Sequence, residues 1–222
     1  MNKCGFLIGY KKFLVCFKPH GDMNDEVMSL CIEMNNLAFR AGSNRAMKKY
    51  MFSVHGVMLL KQDPSTFQPP VLMPELERAI TKFKLFFTIV HDRHWIVVCA
   101  NFLHKQWNVF DSIHAKGKQS PLKKHANNLI TNFAALTQEC DDFSVNVGSS
   151  ARVDLEDYRK QNNLCDRGFF GLKYVDNYDG KAVGEFKQED MPRYRMDLAY
   201  NLFIHPMNNA PKERAFKEEL AA

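Results

Sequence analysis

A histidine and an aspartate at the ends of two neighbouring predicted strands are the first residues here that could do chemistry. His94 stands at the head of one β-branched and aromatic run, and Asp111 stands at the end of the next. Because a short turn joins the two strands in antiparallel order, these positions can lie close together. An imidazole held by a carboxylate is the usual general base of nucleophilic catalysis. The alternative is a structural histidine at a strand end and an aspartate that begins a turn.

The second candidate is the segment 161–170, whose sequence is QNNLCDRGFF. A polar loop that contains Gln161 and Cys165 leads into Gly168, where an apolar helical pattern begins. The N-terminus of a helix lowers the pKa of a nearby thiol and offers backbone N–H groups to an oxyanion. An upstream glutamine can add one more donor. This loop could therefore serve acyl-transfer chemistry.

Both candidates need a scaffold of strands and helices, which the apolar periodicity predicts. Strands are predicted over 85–90, 95–102 and 107–110, with breaks of hairpin length that indicate an antiparallel meander. Helices are predicted over 24–41, 75–83, 121–138, 168–178 and 190–204, and a further short strand over 143–147. Asn24 is a suitable N-cap for the first of these helices. The order of elements predicts one α+β domain.

The composition is that of a globular protein. The chain has 222 residues, of which 45% are hydrophobic and 25% charged, so a disordered chain, a fibrous repeat and a small disulfide scaffold are excluded. The net charge of +5 comes without a dense basic block, and we expect no nucleic-acid partner. No apolar run approaches the ~18 residues that span a bilayer, so we expect no membrane partner either.

The six cysteines are scattered without a close C-x-x-C pair, which favours reduced core thiols. Cys4, Cys16 and His20 have the residue types of a zinc site but not its spacing, so we expect no metal and no cofactor. Lys11 and Lys12 interrupt the apolar start too early for a secretory signal. We expect an intracellular protein of the nucleus, the cytoplasm or both, and a mitochondrial presequence stays open.

Several short motifs follow one another in a fixed order. They are DMNDEV at 22–27, HDRHWIVVCANF at 91–102, WNVFDSI at 107–113, the loop from Gln161 into Gly168, and FKQEDMPRYRMDL at 186–198. Together they resemble the catalytic domain of the ubiquitin-like-protein proteases. These are the Ulp/SENP-type cysteine peptidases that mature SUMO and remove it from targets. The resemblance implies a papain-like α+β fold over 22–206, with an N-terminal extension at 1–21 and a C-terminal tail at 207–222.

The resemblance also implies a role for each matching residue. His94 would be the general base, Asp111 its orienter and Gln161 the oxyanion donor. Trp95 would form one wall of the channel that takes the diglycine tail of the modifier. Asp22 stands where the family has a tryptophan on the opposite wall, and an acid there would not clamp a glycine backbone.

The nucleophile position departs from the family pattern, because the residue that precedes Gly168 is Arg167 rather than cysteine. A guanidinium cannot attack a carbonyl, and its charge opposes the dipole at a helix N-terminus unless Asp166 or Asp111 compensates it. Cys165 is only two residues away, but it projects in a different direction.

We therefore expect a pseudoenzyme that binds SUMO, another ubiquitin-like modifier or an unrelated protein. The alternatives are a cysteine peptidase whose nucleophile has been replaced at position 167 in this version of the sequence, and a peptidase that uses Cys165.

Overall fold

A five-stranded mixed sheet forms the centre of the fold in the computed structural model, which describes residues 8–41, 48–82, 84–113, 121–143, 147–153, 155, 157–206 and 208. Its strands are β1 (Lys49–Met51), β2 (Lys84–His91), β3 (His94–Asn101), β4 (Gln106–Asp111) and β5 (Ala151–Arg152). The strands lie in chain order, with β3 antiparallel to both β2 and β4 and the two outer strands parallel to their neighbours. The predicted antiparallel meander is confirmed.

Helices surround this sheet. They are α1 (Tyr10–Phe17), α2 (Asp25–Ala41), α3 (Val54–Leu60), α4 (Met73–Ala79), α5 (Pro121–Gln138), α6 (Arg167–Asn177) and α7 (Met191–Ile204). The long predicted helices are confirmed, with ends that agree to within one residue, whereas the helix predicted over 75–83 begins and ends earlier. The strand predicted over 143–147 includes 144–146, which lie outside the described residues, and its last residue begins a 3-10 turn. No helix among the described residues has both the length and the apolar character to cross a membrane.

The sheet separates two apolar layers, one on each face. β3 is buried along its whole length, with Val97 and Cys99 in one layer and Ile96 and Val98 in the other. The first layer is completed by side chains of α1, α2, α6 and α7, and the second by side chains of α3, α4 and α5. A strand that is covered on both faces reads as a continuous apolar run, as the sequence of β3 does.

The start of α2 is fixed by the cap that its sequence predicts. The Asn24 side-chain oxygen accepts a hydrogen bond from the Val27 N–H at 2.9 Å, and Asp25 and Glu26 occupy the first turn. Acids in a first turn interact favourably with the helix dipole. This cap fixes the segment that leads from Asp22 into the helix.

Two buried lysines bind the C-terminal end of α6. Lys49 donates from Nζ to the carbonyls of Val175 at 2.7 Å and Asp176 at 2.9 Å, and its register partner Lys84 donates to the carbonyl of Asp179. Carbonyls at the C-terminal end of a helix lack partners within the helix and attract cations. Burial lowers the pKa of Lys49 to about 8. The two lysines anchor α6 to the edge of the sheet.

α1 lies inside the segment predicted as an N-terminal extension. Phe13 and Cys16 are buried in the first apolar layer, and the Phe17 ring meets the Phe169 ring edge-on at 5.7 Å between centroids. The described part of this segment, residues 8–21, therefore packs on the same core as the rest of the domain.

Candidate active site

His94 and Asp111 form the pair that their strand positions predict. Asp111 is the register partner of Ile96 on β3, so His94 lies diagonally across from it, on the same face. The Nε2 atom of His94 is 2.9 Å from the Asp111 Oδ1 atom, and both side chains are largely buried. The same carboxylate oxygen accepts from the Ile113 N–H at 3.0 Å, and the Tyr158 hydroxyl accepts from the Asp111 N–H at 3.0 Å. These contacts fix the carboxylate, which in turn orients the imidazole ring.

The turn just before His94 has an unusual backbone. Asp92 and Arg93 join β2 to β3 as a two-residue loop, and both have positive φ, 48° and 58°. Such a turn matches the twist of a hairpin but normally uses Asn or Gly, because other side chains disfavour this region. The tight turn places His94 directly opposite His91 and brings the Arg93 carbonyl next to the end of β3 that carries His94.

Arg167 is the first residue of α6 and faces this hairpin. Its Nη1 atom donates to the Arg93 carbonyl at 3.2 Å, so the side chain reaches the residue adjacent to His94. Its Nε atom is buried and has no hydrogen-bond partner among the described residues. The predicted juxtaposition of position 167 with the histidine strand is present.

The sequence leaves open whether Asp166 or Asp111 compensates the charge of Arg167. Within the described residues, no carboxylate forms an ion pair with Arg167. Asp166 pairs with Arg195 and Asp111 pairs with His94, so both acids that the sequence offered are already engaged. Neither of the two acids therefore forms an ion pair with Arg167.

Asp166 instead anchors the start of α6 through a buried network. Its Oδ1 atom accepts from Nε and Nη2 of Arg195 at 2.8 and 2.6 Å. Its Oδ2 atom accepts from the side-chain amides of Asn163 and Gln188, each at 2.6 Å. Every acceptor position of the carboxylate is thus used within the protein, which locks the loop that precedes position 167.

Arg195 is the functional-site residue that the sequence reasoning missed. Besides Asp166, it donates to the carbonyls of Cys16 at 2.9 Å, Gly21 at 2.8 Å and Cys165 at 2.9 Å. Its guanidinium also lies 3.9 Å from the Phe169 ring centroid. A signal was available, because Gln188 and Arg195 are among the polar residues of the FKQEDMPRYRMDL motif.

Gln161 lies in the loop before α6, as predicted, but its side-chain amide is bonded to Ser112 and Asn163. Its Oε1 atom accepts from the Ser112 hydroxyl at 2.6 Å, and its Nε2 atom donates to the Asn163 carbonyl. Its backbone N–H also donates to the Ser112 carbonyl, at 3.0 Å. These bonds tie the loop to the end of β4, and the oxyanion role stays a prediction.

Cys165 is not placed as an activated thiol. Its Sγ atom is 3.9 Å from His20 Nδ1 and 3.4 Å from Asn163 Oδ1. Burial, with the Asp166 carboxylate as the next cause, raises the pKa of this thiol above its ordinary value. A reactive cysteine needs the opposite shift, since the thiolate is the nucleophile.

Trp95 and Asp22, the two predicted channel walls, line one open cleft of about 630 Å³. Trp95 is only 3% exposed, and the Asp22 carboxylate lies 3.8 Å from Nη1 of Arg93. Met23 lines the same cleft, and a Cβ added to Gly168 would lie only 2.8 Å from its Cβ. A glycine after position 167 therefore allows α6 to approach the cleft.

The described residues contain no group of three His, Cys, Asp or Glu side chains that could hold a metal ion. Of the three residues considered for zinc, Cys16 is buried in the core, and Cys4 lies outside the described residues.

A sequence model of the Ulp1 protease family, C-terminal catalytic domain, matches residues 23–207. This chain belongs to that family. Two curated relatives from Arabidopsis thaliana are 25% and 24% identical over 84% and 85% of this chain, and the second is ubiquitin-like-specific protease 1A. The chain spans 55% and 38% of the lengths of these relatives.

Solved structures agree on the fold. A SUMO protease Ulp1 whose catalytic cysteine is oxidised to a sulfenic acid superposes with a TM-score of 0.72 at 16% identity, over 91% of this chain and 86% of its own. The C-terminal Ulp1 protease domain in complex with Smt3, the yeast ortholog of SUMO, gives 0.69 at 15% identity, over 91% and 85%. The α+β fold of a Ulp/SENP-type cysteine peptidase is therefore confirmed.

Proposed function

We propose that this protein binds a SUMO-type or other ubiquitin-like modifier through its protease cleft without cleaving it. The observation that carries the proposal is Arg167 at the first position of α6, facing the hairpin that holds the His94–Asp111 pair. In this proposal His94 keeps the position of a general base and Asp111 that of its orienter, but the residue at the nucleophile position carries a guanidinium, which cannot form an acyl intermediate. Loss of a triad nucleophile lowers turnover on the order of a million-fold.

Cys165 does not supply the missing group in this proposal. Its thiol contacts Asn163 and His20, and its carbonyl is held by Arg195. Movement of this thiol toward His94 would break the bonds that fix the start of α6. The raised pKa further disfavours the thiolate.

A ubiquitin-like modifier is the favoured partner because the protein still has an open cleft beside Trp95, although it has no cysteine at position 167. Trp95 and Asp22 line the same opening, and Gly168 still permits the close approach of α6 to Met23. The complex of a Ulp1 domain with Smt3 gives the class of ligand that such a fold accepts. Calorimetry with SUMO-type modifiers and ubiquitin tests this part, and absence of heat with all of them would indicate an unrelated protein partner.

A second candidate function is a cysteine peptidase of this family whose nucleophile, a cysteine at position 167, has been replaced by arginine in this version of the sequence. It is favoured by the 2.9 Å contact between His94 and Asp111, which would orient a base for a thiol at position 167.

An electrophilic probe on the C-terminus of a SUMO-type modifier separates these functions. We expect no labelling of the unaltered protein. Labelling that disappears in Cys165→Ala would overturn the pseudoenzyme proposal and make Cys165 the nucleophile. Labelling of Arg167→Cys that falls when His94→Ala is added would show an otherwise complete site and support the second candidate. A silent Arg167→Cys that still binds the modifier would exclude the second candidate.

A further inference from the structure

The guanidinium of Arg167 has hydrogen-bonding capacity that the described residues do not use. Nη1 makes one bond of 3.2 Å to the Arg93 carbonyl, and Nε is buried without a partner. A buried donor without a hydrogen-bond partner is destabilising, and more so when the group is charged. The residue is only half-buried, so a change of rotamer can bring its N–H groups to an incoming acceptor.

The nearby acids cannot provide that acceptor without breaking contacts of their own. Asp166 is saturated by Arg195, Asn163 and Gln188. Asp111 is held by His94 and the Ile113 N–H. The charge of Arg167 therefore stays available to an anion from outside the chain.

The position of Arg167 links this charge to the cleft. Arg167 bonds to Arg93, and the adjacent Gly168 packs against Met23. Arg93 and Met23 both line the cleft, as Trp95 does. Four acids also line the cleft, and each has a favourable contact of its own. Glu26 pairs with Lys12 at 2.5 Å, Asp22 lies 3.8 Å from Arg93, Asp92 lies 3.4 Å from His91, and Asp25 occupies the first turn of α2, where the helix dipole favours an acid. The start of α6 also contributes a positive dipole end without an acid in its first turn.

We propose that Arg167 recognises the free C-terminal carboxylate of a processed ubiquitin-like modifier, so that the protein binds the unconjugated, mature form in preference to a precursor or conjugate. This inference rests on the proposed function and specifies its ligand. A guanidinium presents its N–H groups as a planar fork that matches a carboxylate bidentately. The amide bond of a precursor or the isopeptide bond of a conjugate is neutral, unlike the carboxylate, and the atoms that follow it would occupy the space of the guanidinium.

The test compares two forms of one modifier that differ only at the last group. A SUMO-type modifier ending in a Gly-Gly carboxylate and the same protein ending in a Gly-Gly carboxamide are titrated into the full chain by calorimetry. Hydrogen bonds to charged groups lead us to expect that the carboxylate form binds roughly ten- to a hundredfold more tightly. Arg167→Gln should remove the difference, and Arg167→Lys, which keeps the charge but not the fork, should keep part of it.

Arg152→Gln is the matched control. Arg152 lies on β5 beside Trp107, toward the end of β4 opposite Asp111, and bonds to Asn127 at 2.8 Å. This substitution removes the same charge and should leave the preference for the carboxylate unchanged.

Equal affinity of the unaltered protein for the two forms would overturn carboxylate recognition and leave modifier binding standing. If neither form binds, and ubiquitin tested alongside does not bind either, the proposed function is overturned and this inference with it. A preference that survives Arg167→Gln would assign the carboxylate to another residue and would also overturn the inference.

Discussion

At the scale of single residues, the start of α6 is held by one buried arginine, Arg195. Arg195 is 4% exposed and joins Asp166, which fixes α6, to the carbonyls of Cys16 and Gly21. Its role is positional. It holds the chain before position 167 at the correct distance from the histidine strand.

Replacement of Arg195 by methionine should therefore destabilise the protein strongly. The change leaves the Asp166 carboxylate buried without its charge partner, and removal of one partner from a buried pair costs about 3–5 kcal/mol. Urea unfolding followed by circular dichroism measures this loss. Arg193→Met on the same helix is the control, since Arg193 is 85% exposed and should change stability by less than about 0.5 kcal/mol. Equal losses in the two variants would contradict the structural role of the network.

Sequence reasoning at this scale succeeded where partners are close along the chain. His94 and Asp111 lie on strands joined by a short turn, so their approach follows from antiparallel pairing. Arg195 could not be found in the same way, because its partner Gly21 is 174 residues away and such contacts depend on the tertiary fold. The engagement of Gln161 by Ser112 was also out of reach, since a hydroxyl in a loop has no periodicity.

At the scale of elements, α6 is held electrostatically at both ends. Its start is tied down by Asp166 and its end by Lys49 and Lys84, which donate to its last carbonyls and the residues beyond. The helix that carries position 167 is thereby fixed against the sheet that carries His94.

The buried ammonium of Lys49 should make stability depend on pH in a defined direction. Its folded pKa of about 8 lies below the ordinary lysine value, so the unfolded chain binds the proton more tightly. The contribution of Lys49 to the free energy of unfolding should therefore rise with pH from about 8 to 10.5 and stay at its lowest, unfavourable value below that window.

Denaturant curves of the unaltered protein and Lys49→Met at pH 7.5 and 9.5 measure this dependence. The stability difference between the two proteins should shift in favour of the unaltered protein by about 2 kcal/mol over that interval. Tyrosines and cysteines with raised pKa oppose the trend, but they are common to both proteins. Lys123→Met, at an exposed position of α5, should show no such shift, and a constant difference for Lys49→Met would contradict the burial argument.

Elements with long apolar periodicity were predicted well, and short ones were not. α2, α5 and α7 repeat their apolar positions over several turns, which gives a clear signal. β1 has three residues and α3 has seven, so each covers at most about two repeats of its pattern, and tertiary packing decides its conformation.

At the scale of the whole molecule, the order of motifs predicted the fold but not the extent of the packed core. The match to the Ulp1 family begins at residue 23, and the sequence reasoning treated 1–21 as an extension. In the structure, α1 contributes Phe13 and Cys16 to the first apolar layer, and the segment after it supplies a carbonyl to Arg195. A basic, apolar terminus gave no sign of this, because helix α1 has only eight residues and its partners lie near the other end of the chain.

Deletion of residues 1–21 should therefore lower the stability of the entire domain rather than remove a passive terminus. The deletion uncovers Phe169, removes core side chains and takes away two acceptors of Arg195, so α6 would loosen at position 167. Phe13→Ala reproduces the packing part of this change in the full chain and should cost about 3–5 kcal/mol. Val15→Ala, on the exposed side of α1, is its control and should cost less than about 0.5 kcal/mol. Unfolding midpoints that are the same for the full chain, the deletion and Phe13→Ala would mean that α1 does not contribute to the core. Lower midpoints for both the deletion and Phe13→Ala would establish that α1 and the rest of the domain unfold as one cooperative unit.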